Sequence, residues 1–308
     1  MERHGELTSV GVEDTGSYGA GLARHLATRG VEVIEVIRPN RQVRRRRGKS
    51  DPTDAEAAAR AVLSGGAIGA PKSRDGAAEA LRALRVARQG AITARTIAAN
   101  QLRDPALTAP EELRARLRPL PREKRMQIAA RFGAGPLTDP VEETKAAMCS
   151  VARRYEQLSE EIASLDACMA HLVELAAPED LTAMQGVGVQ VAATLLAAAR
   201  DNPGRLASEA GFAALCGASP VDASSGKQVR HRLNRGGDRQ ANSALRRIVH
   251  TRMTHDPRTI ASVERRRAEG KTDKEIIRCL KRYVAREIYK TLVVERTAGP
   301  PCPSSRAT

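Results

Sequence analysis

Two aspartates three residues apart, Asp51 and Asp54, stand in the segment GKSDPTDAEAAARAVL, which spans Gly48 to Leu63. Just ahead of them run Arg44, Arg45, Arg46 and Arg47, with Lys49 between. Carboxylates beside dense positive charge suit a phosphate group held near a divalent cation. The same residues also suit a helix start. Asp51 can serve as N-cap, Pro52 can take the first helical position, and Asp54 can close a capping box. One side chain can do both jobs, and these residues alone leave both readings open.

A second constellation lies in PVDASSGKQVRHRLNRGGDRQANSALRRIVH, from Pro220 to His250. Ser224, Ser225 and Gly226 form a turn, followed closely by Lys227, Arg230, His231, Arg232, Arg235 and Arg239. A hydroxyl among guanidinium groups has what phosphoryl transfer requires: an oxygen to attack phosphorus and cations to offset charge on the non-bridging oxygens. A phosphate-binding turn, or a plain one, fits the same spacing. His231 is available as a base, but the sequence does not fix that role. Gly236 and Gly237 precede Asp238, which can cap the next helix.

A third feature is LTAMQGVGVQVAATLLAAAR, where Gly186-Val187-Gly188 joins two short helical runs. A helix-hairpin-helix has this form, and its glycine turn lets backbone N–H groups approach a phosphate. An ordinary helical corner has it too.

The formal charge of +15 over 308 residues points to a polyanionic partner. Hydrophobic residues make up 41% and aromatics only 2%, so cores must come from Ala, Leu, Val and Ile, and base stacking is a poor general basis for binding. No run approaches about 18 continuous apolar residues, which excludes a spanning helix and favours a cytoplasmic nucleic-acid partner over a membrane. The five cysteines form no CxxC pair, which argues against a thiolate zinc site or a disulfide framework.

The elements that must position these groups are of two kinds. Gly19 to Ala27 reads as a short helix, and VEVIEVI from Val31 to Ile37 as a largely buried parallel strand. With the Asp-Pro helix, this makes a thin α/β region, since one strand does not make a sheet. Residues 74–100 and Arg122 to Phe132 read as helices, with prolines, Pro105 among them, separating the basic segments between. From Val141 to Leu172, Val141, Thr144, Met148, Val151, Tyr155, Leu158, Ile162, Leu165, Met169 and Leu172 repeat three, four, three, four, an apolar seam made imperfect by the polar Thr144 and Tyr155. That heptad seam predicts a coiled coil roughly 50 Å long, paired with the 74–100 helix or with another subunit. Towards the C-terminus, Ile276, Ile277, Leu280, Val284, Ile288 and Leu292 form the apolar face of a last helix. They leave Lys274, Arg278, Lys281, Arg282 and Arg286 for solvent or phosphates.

The pieces VEDTGSYGAGLARHL, RPNRQVRRRRGKSDPTDAEAAARAVL, GVGVQVAATLL, GFAALCGASPVDASSGKQVRHRLNRGGDRQANSALRRIVH and EGKTDKEIIRCLKRYVAREIYKTL resemble the IS110/IS116/IS902 insertion-sequence transposases, in the family order and across most of residues 11–293. The resemblance implies α/β plus all-α architecture. A partial RuvC-like (ribonuclease H-like) domain would occupy 1–70, a helical coiled-coil linker 71–178, a mainly helical transposase domain with a helix-hairpin-helix 179–293, and a disordered tail 294–308. It implies an Asp-Glu-Asp-Asp set holding Mg²⁺, with Glu13, Asp51 and Asp54 at three of the four places. No residue from Met1 to Gly11 matches the strand that carries the first aspartate, so the sheet is expected to lack its opening strands and the metal site one ligand. Ser225 falls on the family serine that forms a covalent link to DNA. The resemblance further implies DNA as substrate, a structured bridge RNA as guide, and a homo-oligomer, dimer or tetramer. Gly186, Gly188, Lys227, Arg230, Arg232, Arg235 and Arg239, with the Arg44–Arg47 run and Lys49, are the candidate nucleic-acid contacts.

Three other readings fit parts of the chain. One is an inactive nucleic-acid-binding remnant. Another is a metal-dependent nuclease or junction resolvase in which Ser225 only binds phosphate. The third, a structural coiled-coil protein, leaves the serine and arginine cluster unexplained.

Overall fold

A computed structural model describes residues 7–36, 50–67, 69–71, 76–133, 135, 139–200, 208–222, 231–232, 234 and 236–298. The N-terminal part is a small α/β unit. Strand β1 (Ser9–Glu13) pairs in parallel with β2 (Glu32–Val36), and Glu13 lies opposite Val36 at the end of the ladder. Helix α1 (Ala20–Thr28) makes the crossover between them, and α2 (Asp51–Leu63) packs on both strands. An isolated antiparallel bridge from Glu35 to Gly69 extends the edge.

Two sequence expectations change here. Ser9–Glu13 is a strand although its SVGVE sequence, broken by glycine, carries little apolar signal of its own. Strand β2 is mostly half-buried, with only Val36 fully covered, because the described sheet has two strands and few neighbours.

The rest is helical. Helix α3 (Gly76–Thr108) and helix α6 (Pro140–Ala176) form the most extensive contact between elements among the described residues. They run antiparallel: Arg88 pairs with Asp166 at 2.6 Å, Arg95 sits 5.7 Å above the Tyr155 ring, and Arg154 donates to Gln101. Every position of the 141–172 seam is buried or half-buried, and Met148, Ile162 and Met169 are fully so. Asp139 caps α6 by accepting from the Val141 N–H at 2.9 Å, with Pro140 in the first turn, as the missing N–H of proline allows. Pro105 does not end α3, although proline removes one helical donor. Burial of Leu102, Ala106 and Ala109 against α4 (Glu111–Leu117), α5 (Arg122–Ala129) and α6 offsets that loss.

The C-terminal core combines α8 (Val189–Arg200), α9 (Glu209–Leu215), α10 (Arg239–His255) and α12 (Asp273–Ala298), with α7 (Glu179–Ala183) and α11 (Pro257–Ala268) at its margins. Leu81, Met169 and Val173 join this core, so the α3–α6 pair and the C-terminal helices share one apolar cluster. Gln190 of α8 donates to Asp166, the carboxylate that also holds Arg88, which ties α3, α6 and α8 at one point. Helix α12 continues through Ala298, past the point where the tail was expected to begin. Residues 299–308 lie outside the described residues.

Candidate acidic site and basic groove

The acidic residues sit where β1 meets α2. In a strand, residues two apart share a face, so Glu13 lies on the same side as Gly11. A side chain at Gly11 would come within 2.9 Å of Val62 and 3.1 Å of the Ala58 carbonyl, which identifies that side as the one covered by α2. On α2, Asp51, Asp54, Ala58 and Val62 follow at three, four and four residues, one face of a helix. Glu13, Asp51 and Asp54 thus belong to the two surfaces that face each other across this contact. The Oε1 atom of Glu13 is buried and has no hydrogen-bond partner among the described residues. A buried carboxylate oxygen without a donor is costly, and a bound cation is one way to satisfy it. The three carboxylates do not gather into a metal-holding group of three among the described residues.

Capping at this helix differs from the sequence expectation. Ser50, in extended conformation, is the N-cap, with its hydroxyl 2.8 Å from that of Thr53. Asp51 is therefore the first helical residue and Pro52 the second. The two aspartates occupy the first turn, where the helix dipole favours negative charge.

The serine segment falls between two short strands. β3 (Val221–Asp222) and β4 (His231–Arg232) are antiparallel, with Val221 opposite Arg232. Residues 223–230, which include Ser225, Lys227 and Arg230, lie outside the described residues, as do Arg235, Arg44 to Arg47 and Lys49. What is described is the foundation of this hairpin. Gly217, with φ +61°, and Gly237 touch so closely that a Cβ on Gly237 would fall 2.3 Å from the Gly217 nitrogen. Asp238 N–H donates to the Leu215 carbonyl at 2.6 Å, and the Asp238 carboxylate caps α10 by accepting from Gln240 and Ala241. Asn242 Nδ2 donates to the carbonyls of Cys216 and Gly217 at 2.8 and 3.0 Å. The chain leaves and re-enters the helical core at one pinned point.

Beside that foot lies a groove of about 470 Å³ between the Gly217–Pro220 turn and α12. Its cationic lining is Arg232, Lys271, Arg278, Lys281, Arg282 and Arg286, against one carboxylate, Glu275. Glu209 of α9 holds Arg282 at 2.9 Å and Arg286 at 3.0 Å, which fixes two guanidinium groups on the wall. Lys281 departs from the sequence reading. It is 5% exposed, not solvent-facing. Its Nζ donates to Asn242 Oδ1 at 3.0 Å. Burial, then Arg246 and Arg278, push its pKa below the ordinary lysine value.

Of the remaining candidates, Arg232 is exposed on the groove, and Arg239 is exposed as the first residue of α10. Gly186 has φ +87°, and a Cβ there would lie 3.2 Å from the Ile248 backbone, so its close neighbour is α10 of the same chain. Gly188 faces open space. Asn242, which bonds Lys281, and Tyr283, which lines the groove, do not stand out in the sequence. Neither carries a local signal, because both depend on which helix faces cross.

The N-terminal residues 1–108 match a transposase model, that of the IS110 DEDD transposases, and residues 179–264 match the model described as Transposase IS116/IS110/IS902 family. The chain belongs to the IS110/IS116/IS902 transposase family. In this IS110-family chain the first match covers β1, α1, β2, α2 and α3, hence Glu13, Asp51 and Asp54. The second covers α7 to most of α11, hence the hairpin foot and Ser225. No curated protein matches the chain. No described helix is long and apolar enough to cross a membrane.

Proposed function

We propose that this chain is a DNA recombinase of an insertion sequence, cutting and rejoining DNA by attack of Ser225 on a phosphodiester. The observation that carries the reading is the basic groove at the foot of the hairpin between β3 and β4, in a chain of a transposase family. Six cations lining a groove offset phosphate charge and the extra negative charge that develops at phosphorus during displacement. Gly217, Gly237 and Asn242 hold the ends of the segment that carries Ser225 by close contact and hydrogen bonds.

In the proposed step the Ser225 oxygen bonds to phosphorus as its proton leaves, and the bond from phosphorus to the departing sugar oxygen breaks. That oxygen takes up a proton. Rejoining runs the same exchange in reverse, with a sugar hydroxyl of the other DNA end displacing serine. One ester is exchanged for another, so the break conserves bond energy and needs no nucleotide cofactor. Glu13, Asp51 and Asp54 are the residues proposed to hold Mg²⁺, and the orphaned Glu13 oxygen fits such a ligand. Bound there, the ion would supply Lewis-acid charge at a phosphate oxygen. A structured RNA guide and a homo-oligomer, dimer or tetramer, belong to the same proposal and rest on family resemblance.

The test is to incubate the full chain with Mg²⁺, RNA transcribed from its own element and DNA carrying the element ends. A covalent protein–DNA adduct that disappears in Ser225→Ala is the expected result. Cleavage without an adduct would mean water is the nucleophile and the chain is a metal-dependent nuclease. Binding without cleavage would mean an inactive nucleic-acid-binding protein.

A further inference from the structure

The groove beside the hairpin foot has features that contact with a duplex backbone does not require. Its volume is about 470 Å³, within the range of roughly 300–1,000 Å³ typical of small-ligand sites. Its cations differ in depth: Lys281 is buried, Arg278 and Arg282 are half-buried, and Arg232 and Arg286 are exposed. Lys281 lies at the bottom with a neutral partner, Asn242, and the charges that bear on it are those of Arg246 and Arg278. A buried ammonium whose hydrogen-bond partner is a neutral amide favours an anion beside it. An aromatic ring adjoins them. Tyr283 lines the same groove with 51% of its surface exposed, in a chain with only 2% aromatic residues. Cys279 and Tyr283 are one helical turn apart, and with Ala218 and Pro220 they give the groove an apolar patch among its cations.

We infer that this groove seats one unpaired nucleotide of a nucleic-acid strand, its phosphate against Arg278 and Lys281 and its base on the Tyr283 ring. A paired base keeps both faces stacked within the duplex and has none to offer. An unpaired base has a free face, and stacking on an aromatic side chain is tolerant of sequence. The inference rests on reading the chain as a nucleic-acid enzyme. It adds that this part of the surface reads single strands, such as those exposed when DNA is opened or when an RNA loop is presented.

The experiment is fluorescence anisotropy on the full chain, with a short labelled single-stranded DNA and with the same strand annealed to its complement. Tyr283→Ala should weaken single-strand binding by about 5- to 100-fold and leave duplex binding unchanged, while Tyr283→Phe keeps the wild-type value. Arg278→Ala should weaken single-strand binding and lower its salt slope by about one. Tyr283 is exposed, so circular dichroism of the variant should match wild type. Equal loss on both DNAs, or no loss on either, overturns the nucleotide seat and leaves the recombinase reading standing. Strand transfer retained by Ser225→Ala, with the Tyr283 effect present, overturns the serine mechanism alone. Failure of the wild-type chain to bind either DNA overturns both.

Discussion

Asn242 stands between Lys281 and the turn that founds the serine hairpin. Its Oδ1 accepts from the Lys281 ammonium at 3.0 Å while its Nδ2 donates to the Cys216 and Gly217 carbonyls. One amide therefore connects a buried cation on α12 to the foot of the hairpin. Asn242→Ala removes all three bonds and leaves a buried charge without its partner. We expect a loss of about 2 kcal/mol or more, since hydrogen bonds to charged groups are worth about 1.5–3 kcal/mol. Urea unfolding measures it. Asn242→Asp restores an acceptor for Lys281 but no donor for the carbonyls, and it should recover part of the loss. Wild-type stability in the alanine variant would show that the amide carries no structural weight.

The orphaned oxygen of Glu13 gives a readout for the metal that does not depend on catalysis. If Glu13, Asp51 and Asp54 hold Mg²⁺, added magnesium stabilises the folded state by mass action and raises Tm. Glu13→Gln should abolish that rise while leaving duplex DNA affinity nearly unchanged. Chelation with EDTA should return wild type to its metal-free Tm. An unchanged magnesium response in Glu13→Gln would remove Glu13 from the ligand set.

Cys216 is buried, and burial first, then the Asp238 charge, pushes its thiol up to about 12. The reactive species is the thiolate. At pH 8 iodoacetamide should therefore label the exposed Cys168 and Cys279 in the native protein and reach Cys216 only after unfolding. Peptide mass spectrometry resolves the sites. Native labelling of Cys216 at the rate of Cys279 would contradict this packing. The folded pKa is raised above the unfolded value, so the neutral thiol is the favoured native form, and stability from this group falls as pH rises from the unfolded pKa towards 12.

Asp256 caps α11, accepting from the Thr259 hydroxyl and from the backbone N–H of Arg258 and Thr259. The Thr259 hydroxyl bond, then the backbone bonds and Arg252, hold its carboxyl below the ordinary aspartate value. A depressed folded pKa means the contribution is present above the unfolded pKa near 3.8 and is lost as pH falls through the folded pKa. Asp256→Ala should lower stability by about 1 kcal/mol at pH 7 and by less in that acid window. Asp256→Asn should keep most of the cap without the acid dependence. Denaturation across pH 2–7, an interval set by carboxylate titration at about 4, compares the three proteins.

The sequence by itself determined the features that repeat locally. The three-four spacing from Val141 to Leu172 follows from helical geometry alone, and α6 spans it with every seam position covered. Asp238 marks a helix start through short-range bonds, as its place after Gly236 and Gly237 leads one to expect. The motifs around Glu13, Asp51 and Ser225 carried the family, because they are long and ordered along the chain.

Tertiary structure decided what depends on distant partners. Ser9–Glu13 becomes a strand only because β2 pairs with it. Asp51 yields the capping position to Ser50, a shift of one residue set by how the chain enters α2. Lys281 reads as solvent-facing on a helical wheel, yet it is covered because α10 brings Asn242 across it. A wheel assigns faces relative to one helix axis, whereas burial depends on which other surface arrives. That arrival is fixed by contacts between residues far apart in sequence, such as Arg88 with Asp166 and Gly217 with Gly237, which no local pattern records.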